Sequence, residues 1–272
     1  VTQQRGSAKV KFLAARRRSP LVASALLIGA LAVVGGGYAA LASVQPAEAT
    51  IAVGSETQVE KGKQLYLEGC SSCHGLEAQG TKSGPTLIGV GAAGVHFQVS
   101  TGRMPLAAPG AQAPSKENIY SEDDIAAMAA YVASLAPGPA IPSAQQLDYA
   151  DADVAFGGQL FRINCAQCHQ AAGQGGALTQ GKYAPNLMAA TPQEIYEAML
   201  TGPQNMPVFS DSQLPEGDKQ AIIAYIRDLQ EASSPGGLNL GRFGPVTEGV
   251  FLVVAVFAAL IAAAVWIGIK SR

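Results

Sequence analysis

Cys70-Ser71-Ser72-Cys73-His74 recurs as Cys165-Ala166-Gln167-Cys168-His169, and these two pentapeptides hold all four cysteines and two of the three histidines of the chain. Two thiols three residues apart can both reach one edge of a porphyrin and form thioethers with its vinyl groups, while the adjacent imidazole sits below the plane to take the iron. Each pentapeptide therefore reads as a covalent haem c site. Zinc is a weaker reading, because the pairs stand 95 positions apart (165 against 70), far beyond ribbon spacing, and zinc needs no histidine after each pair. A thioredoxin-like pair would want a βαβ context, and no alternating strand pattern is present. A disulfide within C-x-x-C is strained and more often catalytic than structural.

The composition is 48% hydrophobic with 14% charged residues and a net charge of −2, low in charge for a soluble protein and accounted for by membrane segments. Pro20 to Ala42 is uncharged and, at 23 residues, long enough to cross a bilayer core. Arg5, Lys9, Lys11, Arg16, Arg17 and Arg18 precede it with no acidic residue before Glu48, which places the amino terminus in the cytoplasm. A signal peptide competes for this run, with Ala40-Leu41-Ala42 as a cleavage-like triplet. The apolar core exceeds the usual 7 to 15 residues, and an uncleaved anchor is the expectation. Val250 to Ile269 forms a second uncharged run, closed by Lys270 and Arg272, with Trp266 as an interfacial anchor. Basic flanks at both extremities put everything between the spans outside, the face on which bacterial haem attachment is completed.

Between the spans the chain repeats once. Gly62, Gln64, Leu65, Tyr66 and Cys70 recur 95 positions on as Gly157, Gln159, Leu160, Phe161 and Cys165. Each copy opens with a helix running into C-x-x-C-H, capped at Ser55 in the first and near Asp151 or Asp153 in the second. Each closes with an amphipathic helix, residues 121–135 with Ser121 as cap, and residues 216–230, with Tyr131 matching Tyr225. The glycine on the first helix lets the last one approach closely. Glycine-rich stretches follow each histidine and end at Pro85 and Pro185, where a nearby carbonyl can accept the imidazole N–H, although a plain turn proline is the competing reading. A short helix follows in each copy, well signed in the second by Thr191, Pro192 and Glu194.

Met104-Pro105 and Met206-Pro207 stand in matching Thr-Gly contexts, and the proline stops any helix and presents the side chain from a fixed loop. A thioether is a soft donor that favours Fe(II), so Met104 and Met206 are the expected sixth ligands, opposite His74 and His169. Met128 and Met199 fit helix cores; Met188 remains a contender for the second iron and His96 for the first. With six ligands on each iron, no position is left for substrate, and the chain passes single electrons.

The order of GCSSCHG, PTLIGVG, FQVSTGRMP, CAQCH, GGALTQGKYAPNL, AMLTGPQNMP, a PGG segment and a final span resembles the dihaem cytochrome c subunit of the actinobacterial cytochrome bcc complex over essentially the whole chain. The resemblance implies a mainly α fold: two tandem class I cytochrome c domains flanked by an N-terminal and a C-terminal transmembrane helix. Its parts would be a cytoplasmic basic segment 1–19, a span 20–42, domains 51–136 and 151–231 joined by a stiff linker 137–150, a lead 232–249, a span 250–269 and a cytoplasmic end 270–272. It implies two covalently attached haem c groups, bound by Cys70, Cys73, His74 and Met104 and by Cys165, Cys168, His169 and Met206. It also implies a role inside a menaquinol:cytochrome c reductase. The partners would be a cytochrome b subunit, a Rieske iron-sulfur subunit as donor and the copper centre of a haem-copper oxidase as acceptor, with membrane lipid around the spans. The competing classes are a dihaem subunit of another oxidase or of a periplasmic dehydrogenase, and a dihaem peroxidase. The insertion 105–120 is a candidate docking surface.

Overall fold

The computed structural model describes residues 20–42, 55–232 and 245–270. The basic segment 1–19, most of the lead 232–249, and residues 271–272 of the expected cytoplasmic end lie outside the described residues. The chain divides into two units, Val1–Thr50 and Ile51–Arg272. In the first, helix α1 covers Pro20–Ala42, and its side chains from 24 to 36 are exposed.

In the second unit the order is α2 (Glu56–Gly69), α3 (Ser71–His74), α4 (Gly91–Ser100) and α5 (Glu122–Leu135), then α6 (Val154–Asn164), α7 (Ala166–His169), β1 (Gly176–Ala177), β2 (Tyr183–Ala184), α8 (Pro192–Thr201), α9 (Glu216–Glu231) and α10 (Pro245–Lys270). The helix starts are chemically determined. Ser55, Ser121 and Asp153 each accept a hydrogen bond from the amide three residues on, and Thr191 with Glu194 forms a reciprocal capping box. Each such cap satisfies a donor that the helix cannot, for about 1 kcal/mol.

In each half the first and last helices cross at a glycine. A Cβ on Gly62 would lie 1.9 Å from the Ala127 carbonyl oxygen, and one on Gly157 the same 1.9 Å from that of Ala221, so no other residue lets α2 meet α5 or α6 meet α9 at this distance. Beside each crossing two rings pack at a tilt: Tyr66 on Tyr131 with centroids 5.3 Å apart, and Phe161 on Tyr225 at 5.4 Å. Two separate cores grow from these crossings. One holds Tyr66, Val95, Val99, Ile125, Met128 and Val132; the other Phe161, Ile195, Tyr196, Met199, Ile222 and Ile223. Met128 and Met199 are both buried in them, as helix-core methionines should be.

The structure departs from the sequence reading in two places. The loop before Pro185 contains a two-stranded antiparallel ribbon pairing Gly176 with Ala184 and Ala177 with Tyr183. Strands of two residues carry no periodicity, so no sequence pattern announces them. The linker is also more than a stiff spacer. Pro139 O accepts from Ala93 N at 3.0 Å, Ile141 packs on the first core, and Leu147 and Tyr149 pack on the second.

Helix α10 is apolar over Glu248–Lys270, long enough to cross a membrane, with its described side chains exposed apart from the partly buried Gly249. Near its end the Lys270 ammonium sits 4.6 Å from the centroid of Trp266, an amphipathic pairing suited to a bilayer interface.

Candidate haem sites

Helix α2 ends where the Cys70 amide donates to Tyr66 O at 2.8 Å; there the backbone turns at φ −123° and restarts as the single turn α3, with Cys73 and His74 amides both donating to Cys70 O. Cys165 does the same after α6, receiving the amides of Cys168 and His169. The turn sets the second thiol and the imidazole one short helix beyond the first thiol. Tyr66 locks the first corner by donating its hydroxyl to Gly75 O at 2.6 Å, and Tyr225 donates to Ala171 O at 3.3 Å in the second.

Both histidines are buried, and each has Nδ1 against a proline carbonyl: His74 on Pro85 O at 2.7 Å and His169 on Pro185 O at 3.0 Å. A carbonyl only accepts, so Nδ1 carries the proton and Nε2 is left as a neutral donor atom for a metal. Burial holds His169 below the ordinary imidazole range, which favours that neutral form, with the Pro185 hydrogen bond opposing. The prolines thus act through their carbonyls, where the sequence offered a choice between this and a plain turn.

The thiols argue in the same direction. Burial raises the Cys70 thiol and pushes Cys165 up to about 12, with the neighbouring cysteine of each pair adding to the effect. A redox dithiol or a zinc thiolate needs the opposite, an electropositive setting that lowers the pKa. Apolar surroundings suit a thioether carbon–sulfur bond. Among the described residues, no cluster of three or more His, Cys, Asp or Glu could hold a metal ion.

In the second half a cavity of about 290 Å³ brings Cys165, Cys168, His169 and Met206 together against walls of Phe161, Ile195, Met199 and Ile222. Met188 does not line it; its Cε lies over Gly173, where an added Cβ would approach to 2.8 Å. In the first half Cys70 and Met104 are both partly buried against the same core, and the Met104 amide is tied to Gln98 O at 2.8 Å. A thiol pair, an oriented neutral imidazole and a soft sulfur around an apolar cavity are a donor set that fits haem c.

His96 belongs to neither histidine site. Its Nδ1 lies 2.8 Å from Glu197 Oε2, tying α4 of one half to α8 of the other, and Gln193 Nε2 donates to Glu197 Oε1 at 3.0 Å. The insertion 105–120 docks within the chain as well. Gln112 exchanges two hydrogen bonds with the Tyr183 backbone, and Gln204 exchanges two with Ala113. Glu197, wholly buried, escaped the sequence reading. The available signal was a lone histidine on the apolar helix α4, which needs a polar partner once buried.

Comparison with known proteins follows the same division. The family model described as Cytochrome c matches residues 59–136, and that described as Cytochrome C oxidase, cbb3-type, subunit III matches 152–226. The cytochrome bc1 complex cytochrome c subunit of Corynebacterium diphtheriae is 46% identical over 96% of this chain and 99% of its own length. The chain belongs to this family. The corresponding subunit of Mycobacterium tuberculosis strain H37Rv is also 46% identical, over 94% of this chain and 93% of its own. The cbb3-type cytochrome c oxidase subunit FixP of Bradyrhizobium diazoefficiens is 30% identical over 56% of this chain and 50% of its own. As a cytochrome c subunit with two cytochrome c domains, the chain carries two covalently attached c-type haems, serves electron transport within a respiratory oxidoreductase complex and is associated with the membrane.

Proposed function

We propose that this subunit relays electrons from a Rieske iron-sulfur protein, beside a cytochrome b, through its two haems to the copper centre of a terminal oxidase. The observation that carries the reading is the convergence of Cys165, Cys168, His169 and Met206 on one apolar cavity. In this reading Cys70 and Cys73, and Cys165 and Cys168, would tether the groups, while His74 and His169 would offer Nε2, and Met104 and Met206 their sulfurs, to the irons. Haem c supplies a one-electron Fe(III)/Fe(II) couple. The chain does the rest: the Pro85 and Pro185 carbonyls orient the imidazoles and raise their basicity, and the soft sulfurs would favour the reduced state. With a histidine and a methionine each offered to an iron, this reading would leave no ligand position for peroxide, against a peroxidase.

Pro20–Ala42 and Glu248–Lys270 would both span the bilayer, with both termini cytoplasmic and the haem domains on the outer face. Two anchors hold the relay at high effective concentration near membrane-bound partners. A second reading, a subunit of an oxidase itself, is favoured by the cbb3-type match at residues 152–226.

Purification of the intact complex in mild detergent, with mass identification of the partners, haem staining and optical spectra, separates these readings. The expected result is two covalent haems per chain, both low-spin with sulfur ligation, co-purifying with cytochrome b and Rieske subunits. Recovery with oxidase subunits and no cytochrome b refutes the first reading.

A further inference from the structure

We propose that Arg103, which belongs to the first haem domain, is a positioning residue for the second haem, its guanidinium receiving that group's propionate carboxylates. The proposal rests on the haem reading above and on who lines the cavity. Arg103 borders it together with Cys165, His169 and Met206, and among the described residues no other lysine or arginine does. A haem brings two carboxylates into that space, and burying a carboxylate without a partner is costly.

Within the second domain the cation nearest in sequence to the cavity wall, Lys182, does not line the cavity and is spent on Asn205 Oδ1, to which its Nζ donates at 2.8 Å. Where the first copy reads Thr101-Gly102-Arg103-Met104, the second reads Thr201-Gly202-Pro203-Gln204-Asn205-Met206, with no cation before the methionine. Among the described residues the one acidic side chain lining the cavity is Glu194. Its Oε2 already accepts from the Thr191 amide at 2.7 Å, as part of the capping box.

Arg103 is held but unspent. Its guanidinium lies over the Phe97 ring, 4.9 Å from the centroid, and has no hydrogen bond or ion pair with the described residues. The loop around it is braced from both sides. Lys116 Nζ donates to Gly102 O at 2.5 Å and to Pro105 O at 2.7 Å, and the Met104 amide donates to Gln98 O. A planar fork of donors is the group best matched to carboxylate oxygens. Because Met104 is the next residue, one peptide unit would join the sulfur on the first iron to the charge beside the second. A fixed positive charge favours the electron-rich state, so Arg103 raises the potential of the second haem.

The test uses the full haem-loaded chain in its detergent-purified complex. The variants are R103Q, R103M, which keeps the apolar stem over Phe97, and R103K, which keeps the charge. Each is followed by haem stain, by optical spectra and by redox titration of each haem between about pH 5.5 and about pH 8.5. R103Q and R103M should keep both haems and shift the second haem's reduction equilibrium about tenfold toward the oxidised form, about 59 mV for a one-electron couple. They should also acquire a pH dependence as the unpaired propionate takes up a proton, whereas R103K stays near the parent. A second haem that titrates unchanged in R103Q and R103M, or a shift confined to the first haem, overturns the proposal. A parent spectrum lacking sulfur ligation at the second haem overturns the ligand reading instead, so the two failures are distinguishable.

Discussion

Replacing His96 by alanine tests what holds the two haem domains together. The His96 side chain is 15% exposed and that of Glu197 0%, with 2.8 Å between Nδ1 and Oε2. The hydrogen bond that His96 donates to Glu197 raises its pKa most, against the lowering effect of burial; the charges of Glu197, Glu122 and Glu194 add to the rise. Removing the imidazole leaves a buried carboxylate with Gln193 as its neutral donor. Loss of one partner of a buried pair costs about 3–5 kcal/mol, set mainly by the stranded charge. Since the folded pKa is raised, the stabilisation is fully present below the unfolded value of about 6.5 and is lost as pH rises through the folded one. Unfolding of the parent, H96A, E197Q and the double variant, haem-loaded, is compared at about pH 5.5 and about pH 8.5. H96A should lose most at the lower pH, and the double variant should lose less than the sum of the singles. Additive losses, or a deficit in H96A that does not shrink as pH rises, would refute the reasoning.

Met206→Leu should leave the second haem covalently attached yet lower its potential by more than about 59 mV, a tenfold shift in a one-electron equilibrium, while Met188→Leu leaves it in place; redox titration of both variants decides which sulfur is the ligand. Gly157→Ala places a Cβ 1.9 Å from Ala221 O, so α6 and α9 must move apart by about 1.5–2 Å to regain ordinary contact. Overpacking of this kind costs about 1–3 kcal/mol, and a domain of this size should melt several degrees lower by calorimetry; an unchanged melting temperature would mean the crossing is looser than it stands here.

What could be read from the sequence was whatever a few neighbouring residues decide among themselves. Two thiols and an imidazole in five residues define a haem attachment site wherever they are folded. Ser55, Ser121 and Thr191 cap their helices through the amide three residues away, and the glycines at 62 and 157 mark a helix crossing because only a missing Cβ permits it. That Met206 lines the second cavity while Met188 does not needed the loop's path, since both lie within reach along the chain.

The association of the two halves was decided by tertiary structure alone. His96 meets Glu197 across 101 positions, Gln112 meets Tyr183 across 71, and Arg103 enters the cavity of the other domain. Nothing local distinguishes Glu197 from a solvated helix carboxylate. Its burial and charge partner exist only once α4 and α8 are packed together, because the interaction energy depends on separation in space and on excluded water, neither of which chain order specifies.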